Sequence, residues 1–242
     1  MHSDVHERLD AISRARGIAI GLGVAMVALM AWTALSSTLL MPGVAACLLL
    51  PPAALVLVAR WPALLTLWAR HNTDIRLSLA IALITGVVVP IEVALKRLNV
   101  ENLPMLVLPA LVIGGSATAW ALNNDPALGK RMGDAAAVAA CLVMHAGALV
   151  LWLNHVLPPL EKRRTVVAVT DLGQNREHKG FTTFLVRTTT ASTMADWEDY
   201  RVPHDVWKRL QVGAPACVDE RRGLFGVTEA AISTCPAGAH AS

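Results

Sequence analysis

The sequence predicts an α-helical polytopic membrane protein with five transmembrane helices, followed by a small all-β domain. The 242 residues are 55% hydrophobic and 16% charged, whereas soluble domains are roughly 45–50% apolar. Apolar runs of membrane-spanning length fill the chain to about residue 160 and then give way to short alternating segments. Five of the seven tryptophans lie at or just beyond the ends of the apolar runs, where amphipathic rings favour the headgroup zone.

Residues 1–16 carry Val5, Leu9 and Ile12 at helical spacing among charged residues, which predicts a short amphipathic helix. Residues 17–35 form the first expected span, because nineteen helical residues extend about 28 Å, close to the thickness of the hydrocarbon core. A cleaved secretory signal ending near Ala34 is the alternative. Three acidic residues near the start and the length of the apolar run argue against it.

The second expected span, residues 39–59, contains Pro51 and Pro52. Two adjacent prolines remove backbone donors and kink a helix. The segment is therefore either a bent spanning helix or a re-entrant segment that lines a cavity.

The third expected span, residues 75–95, carries Glu92, the one carboxylate inside an apolar run. Intramembrane charges are costly and are functional candidates by default. Lys96 follows one helical turn later, so an interfacial ion pair between Glu92 and Lys96 is the simpler interpretation.

Residues 105–122 and 135–153 are the fourth and fifth expected spans. On the fifth, Cys141 and His145 lie one turn apart, and a thiolate beside an imidazole can bind copper or zinc. Two ligands do not make a site, so we predict no metal and no other cofactor. We interpret both residues as packed core side chains within a possible intramembrane polar site.

Residues 161–242 read as a small soluble β domain, since valine, threonine and phenylalanine alternate in short segments. We expect strands at 165–171, 180–188 and 197–202, a short helix at 203–210, and a last hairpin of 215–218 with 224–228. Five strands with one helix before the last hairpin suggest an SH3-like or OB-like barrel.

Cys217 and Cys235 are the only cysteines of this domain. A disulfide between them would stabilise a small domain by roughly 3 kcal/mol in the chain-entropy model, if the compartment is oxidising. Two free thiols in a reducing compartment are the alternative.

Basic residues follow the positive-inside pattern in a five-span chain, with eight on the amino-terminal side and five opposite. Four spans give the same count, so the cysteine pair decides for a cytoplasmic amino terminus and an extracytoplasmic β domain. The eight are Arg8, Arg14, Arg16, Arg60, Arg70, Arg76, Lys130 and Arg131; the five are Lys96, Arg97, Lys162, Arg163 and Arg164.

The sequence contains no nucleophile motif, phosphate loop or metal-ligand cluster, which leaves no basis for naming catalytic residues. We therefore expect a non-catalytic bacterial inner-membrane scaffold, assembly or envelope component whose β domain binds a protein partner beside the bilayer. Homo-oligomerisation stays possible, and the small net charge gives no reason to expect nucleic acid. The alternative is a small transporter or channel component in which Glu92 and the Pro51–Pro52 kink line a polar path.

Overall fold

A computed structural model describes residues 17, 21, 40–62, 65–68, 77–176, 182–188 and 199–235. The amphipathic segment 1–16 lies outside the described residues. So does the first expected span, 17–35, apart from Gly17 and Gly21, which are both helical.

Four long helices and one four-residue helix occupy the first two thirds of the described chain, and a second four-residue helix lies in the tail. A 3-10 turn, Leu103–Leu106, leads directly into the third long helix. The helices are α1 Leu40–Arg60, α2 Ala80–Arg97, α3 Val107–Asn124, α4 Pro126–Gly129, α5 Met132–Val156 and α6 His204–Trp207.

Three helices in the described part are long and apolar enough to cross a membrane, where the sequence predicts five spans. They are Pro42–Arg60, Leu103–Asn124 and Met132–Val156. The apolar part of α2, Ala80–Leu95, is a shorter helix, because Leu77–Ser78 at the start of the expected third span forms a strand instead. Helix α1 continues through both of its prolines.

The chain divides into two compact units, residues 1–91 with 108–149 and residues 92–107 with 150–242. The second unit therefore takes in residues 92–107 and 150–160, which the sequence assigns to the helical bundle of residues 17–160.

Two glycines allow close packing of helices in the first unit. A Cβ at Gly114 of α3 would lie 2.5 Å from the Cα atom of Val143 on α5, closer than real Cβ atoms come. A Cβ at Gly86 of α2 would likewise collide with the ring of Pro51 on α1. Small residues thus set the separation of both helix pairs.

The strands form a two-stranded parallel pair in the first unit and a nearly closed six-stranded antiparallel sheet in the second. The order in the larger sheet is β3-β8-β7-β4-β5-β6. The strands are β1 Leu65–Thr66, β2 Leu77–Ser78, β3 Asn99–Glu101, β4 Glu161–Arg176, β5 Thr182–Thr188, β6 Asp199–Val202, β7 Pro215–Arg222 and β8 Thr228–Thr234.

The sequence places the last hairpin incorrectly. Residues 219–222 belong to β7, and β8 begins at Thr228, where the second strand is expected to end. The charged run suggests a turn, but its side chains lie in the antiparallel ladder with β4, where Asp219 pairs with Arg164. The turn is instead Gly223 to Val227, and Gly226 supplies its positive φ of 76°.

Strand β3 is absent from the sequence prediction. It lies between α2 and α3 and pairs with β8, Asn99 opposite Ala230 and Glu101 opposite Thr228. The sheet encloses its own apolar core. That core consists of Val167, Val169, Val186, Tyr200, Val202, Leu210, Ala216, Val218, Ala230 and Ile232.

Candidate functional site

The best-defined polar cluster in the second unit joins the end of α5 to the hairpin of β7 and β8. Glu229 at its centre is only 5% exposed. His155 Nδ1 donates to Glu229 Oε2 at 2.7 Å, and Arg221 Nη2 donates to the same oxygen at 2.6 Å. Arg221 Nη2 also donates to the carbonyl oxygen of His155 at 2.7 Å, which ties a backbone acceptor near the helix end to the hairpin.

Asn154 adds further hydrogen bonds to the same hairpin. Its amide nitrogen donates to the Val227 carbonyl oxygen and to Glu229 Oε1, both at 3.3 Å, and its amide oxygen accepts from Phe225 N at 3.4 Å. A Cβ at Gly223 would collide with the Asn154 side chain. The last turn of α5 is therefore fitted closely to the turn between β7 and β8.

The charges of this cluster balance. Burial alone would raise the pKa of the Glu229 carboxyl, but hydrogen bonds from His155 and Arg221 bring that pKa below its ordinary value. Glu229 is thus ionised at neutral pH and neutralises a half-buried guanidinium. We call the cluster of Asn154, His155, Arg221 and Glu229 the anchor, because its polar atoms hydrogen-bond to one another and to the nearby backbone and so hold α5 against the hairpin.

Asn99 closes the remaining gap in the sheet, between β6 and β8. Its amide nitrogen donates to the carbonyl oxygens of Arg201 at 2.9 Å and Ala230 at 3.1 Å, and its amide oxygen accepts from Arg201 N at 2.7 Å. One side-chain amide thus replaces a rung of backbone hydrogen bonds. The Arg201 guanidinium also donates to the carbonyl oxygen of Leu95, near the end of α2.

A buried carboxyl group lies inside the barrel at the end where β4 begins. Glu220 is 1% exposed, and neither of its oxygens has a hydrogen-bond partner among the described residues. Burial raises the pKa of Glu220; the charge of Arg163 opposes this and that of Glu101 adds to it. Burial, with the charges of Glu220 and Glu101, raises the pKa of the neighbouring Tyr200 to about 12.

Within the described part of the chain, no group of three or more His, Cys, Asp or Glu residues is placed to hold a metal ion. A buried carboxyl group without hydrogen bonds is costly to ionise, which is the main cause of the raised pKa of Glu220.

The structure joins Cys217 and Cys235 in a disulfide with a Cα–Cα distance of 5.0 Å, well within the usual range. The bridge fixes the residue after β8 to the middle of β7. It lies in the second unit, apart from the free cysteines Cys47 and Cys141.

The residues predicted to form an intramembrane polar site fall in different units. Glu92 is exposed and belongs to the second unit, as does Lys96, whose side chain lies outside the description. Cys141 and His145 belong to the first unit, where both are buried on α5. His145 Nδ1 lies 3.1 Å from the Gly86 carbonyl oxygen and donates to it. A joint role for these four residues stays an untested prediction.

Sequence reasoning did not identify Asn99, Glu220 or Glu229 as candidates. Asn154 and His155, two polar residues at the end of an apolar run, are the one local signal of the anchor. A charged residue on a short alternating strand looks solvated until the register of its neighbours is known.

Comparison of the chain with protein-family models, with curated proteins and with solved structures found no match.

Proposed function

We propose that this chain is an integral membrane protein of the bacterial inner membrane, and that its barrel is a docking module for a protein partner beside the bilayer. In this role the chain acts as a scaffold or assembly component without catalysis. The observation that carries the proposal is that the barrel is built onto helix ends. Only four residues, two of them proline, separate α5 from β4.

Three helix ends contribute to the unit that contains the barrel. The end of α2 supplies the Leu95 carbonyl oxygen to Arg201, and α5 supplies Asn154 and His155 to the hairpin. The turn before α3 supplies Met105, whose Cγ would lie 3.8 Å from a Cβ at Gly226. In the proposed membrane role, these contacts keep the barrel close to the ends of the spanning helices, as a docking module beside the bilayer requires.

The strand order supports an OB-like interpretation of the barrel. Strands β4, β5 and β6 are consecutive neighbours, and β7 lies between β4 and β8. Asn99 then links β8 to β6. If β4 to β8 are numbered one to five, their order around the barrel is 1-2-3-5-4, and strand four pairs again with strand one. The helix α6 follows strand three. OB folds bind their ligands on the face of the second and third strands, which here are β5 and β6.

The pairing of β3 with β8 also constrains the membrane topology in this proposal. The connection after α2 and the carboxyl-terminal tail must lie on one side of the membrane, so an even number of crossings separates them. Two spans, at Leu103–Asn124 and Met132–Val156, satisfy this requirement. The disulfide favours the oxidising side, which supports an extracytoplasmic barrel. The proposed cytoplasmic amino terminus rests on the five spans expected from the sequence, three of which precede β3.

The outer face of β5 and β6 offers a test with a matched control. Arg187 on β5 and Asp199 on β6 form an exposed ion pair at 2.8 Å. Arg164 and Asp219 form an equivalent exposed pair at 2.5 Å on β4 and β7. Exchanging the two residues of either pair keeps the ion pair and inverts the local charge pattern.

Tagged full-length chain is purified from its own membranes in mild detergent, and the bound proteins are identified by mass spectrometry. We expect one specific partner that remains with the Arg164→Asp/Asp219→Arg variant and is lost with the Arg187→Asp/Asp199→Arg variant. Recovery of no specific partner contradicts the docking role. Equal recovery with both variants contradicts the assignment of the face.

A further inference from the structure

The end of the barrel nearest the helix ends carries a group of exposed, large apolar side chains, which we call the apolar rim. In a domain surrounded by water, such residues are usually scattered singly. The rim consists of Leu103, Met105, Val156, Leu157, Leu160 and Leu224, all exposed and all in the second unit.

Contacts within the unit show that the rim is contiguous. Phe225 N donates to Asn154 Oδ1, which places the Leu224 turn beside the last turn of α5. A Cβ at Gly226 would lie 3.8 Å from Met105 Cγ. Leu160 N donates to the carbonyl oxygen of Arg222 at 2.9 Å. The rim residues therefore lie together at one end of the barrel.

The β7–β8 turn itself is unusual in composition. Turns normally carry glycine, asparagine, aspartate, serine or proline, which favour turn conformations. This turn has the sequence Gly-Leu-Phe-Gly, and Leu224 is 57% exposed. Gly226 supplies the positive φ of the turn and Gly223 leaves room for Asn154, so the apolar residues between them are free to serve another purpose.

The occupant follows from what begins and ends at the rim. Leu103 is the first residue of one helix long and apolar enough to cross a membrane, and Val156 is the last residue of another. Exposed basic residues border the rim at the start of β4 and the end of β7, among them Lys162, Arg163 and Arg222. An apolar surface bordered by positive charge suits the boundary between acyl chains and phosphate headgroups.

We propose that the apolar rim is a membrane-contact surface, with Leu224 at the tip of the β7–β8 turn inserted at the headgroup–acyl boundary. This inference rests on the proposed membrane role of the helices, and it adds that the barrel itself contacts lipid. The opposite end of the barrel faces water.

Site-directed spin labelling of the full chain tests the proposal. Cys47→Ala and Cys141→Ala leave the Cys217–Cys235 disulfide in place, so that only an introduced cysteine is labelled. Labels are placed by Leu224→Cys, Val212→Cys or Val112→Cys in nanodiscs that hold one chain each. Val212 is 62% exposed and lies near the far end of the β4–β7 ladder; Val112 is 61% exposed on α3.

We expect access of a water-soluble nickel complex at 224 to be several-fold lower than at 212 but higher than at 112, and oxygen access at 224 to exceed that at 212. If the labels at 224 and 212 have equal nickel access while the label at 112 is protected, the rim proposal is wrong. The proposal that the helices span the membrane then still stands. Equal nickel access at all three sites overturns both proposals. Protection of 224 from both reagents indicates a protein contact and also overturns the rim proposal.

Discussion

At the scale of single residues, Glu220 and Glu229 show how neighbours determine the state of a buried carboxyl group. Both lie in the paired strands β7 and β8 and both are buried. Glu229 receives hydrogen bonds from His155 and Arg221, whereas Glu220 has no hydrogen-bond partner in the described part of the chain. The first carboxylate stabilises the fold when ionised, and the second destabilises it when ionised.

Glu220→Gln is expected to raise the free energy of unfolding at neutral pH by about 1 kcal/mol, because it removes a buried charge that lacks hydrogen bonds. The pKa of Glu220 is raised in the fold, so its ionisation costs stability as the pH rises from the ordinary carboxyl range. The gain should therefore vanish at low pH, where the carboxyl group is neutral in both states. Thermal unfolding of the full chain in detergent at several pH values measures it.

Asp219→Asn is the control for this experiment. Asp219 is the preceding residue on β7, but it is exposed and paired with Arg164. Its loss should change stability by less than about 1 kcal/mol. A loss of stability in Glu220→Gln at neutral pH would show that the ionised carboxylate has a stabilising partner.

At the scale of elements, β3 completes the sheet through one side chain. Asn99→Ala is expected to destabilise the barrel by about 2 kcal/mol, because it removes three hydrogen bonds and leaves the backbone of Arg201 without those partners. Hydrogen exchange followed by mass spectrometry should show faster exchange in β6 and in the first half of β8.

The nearby Asn102→Gly provides the comparison for Asn99→Ala. Asn102 is exposed, with a φ of 58° that glycine adopts without strain, so exchange in the barrel should stay as in the unaltered chain. Unchanged exchange in Asn99→Ala would contradict the role assigned to β3.

Two adjacent glycines on α3, Gly114 and Gly115, provide a test of helix packing in the first unit. Gly114→Ala should cost about 1–3 kcal/mol, because the new methyl group meets the backbone of Val143 and Leu142. Gly115→Ala meets nothing within 4 Å and should be neutral or stabilising by up to about 1 kcal/mol. Thermal unfolding in detergent compares the two, and equal effects would contradict the close approach of α3 and α5.

Which elements could be predicted depended on their length. Long apolar helices and alternating strands such as β5 can be recognised locally, so those in the described part of the chain lie within about five residues of their predicted positions. Strand β3 has three residues, too few to show a period, and its pairing depends on residues far along the chain. The predicted turn at the β7 charges is wrong because a cross-strand partner such as Arg164 is not visible in the local sequence.

The candidate site was less predictable than the fold. The cysteine pair could be proposed from count and spacing alone. The anchor around Glu229 requires knowledge that α5 ends against the β7–β8 turn. That contact follows from tertiary packing, and no local pattern in the sequence specifies it.

At the scale of the whole molecule, the disulfide separates two possible environments for the barrel. Reduction of the Cys217–Cys235 bond should lower stability by roughly 3 kcal/mol in the chain-entropy model, given the 18-residue separation. Thermal unfolding with and without reductant measures the effect, which should persist in Cys47→Ala/Cys141→Ala and disappear in Cys217→Ala/Cys235→Ala.

Thiol alkylation of intact cells assigns the compartment. An extracytoplasmic barrel predicts that Cys217 and Cys235 resist alkylation until reductant is added. Alkylation of both thiols without reductant would contradict the oxidising location and remove the main support for an extracytoplasmic barrel.

The pairing of β3 with β8 also sets an order of events during synthesis. Asn99 and its acceptor Ala230 lie 131 residues apart, so at about 5–20 residues per second the ribosome needs roughly 7–26 s to supply the partner strand. During that interval β3 has been synthesised, but its partner strand β8 has not. The barrel therefore closes only after translation of the last hairpin, and a chain truncated before residue 228 should leave residues 99–101 open to protease.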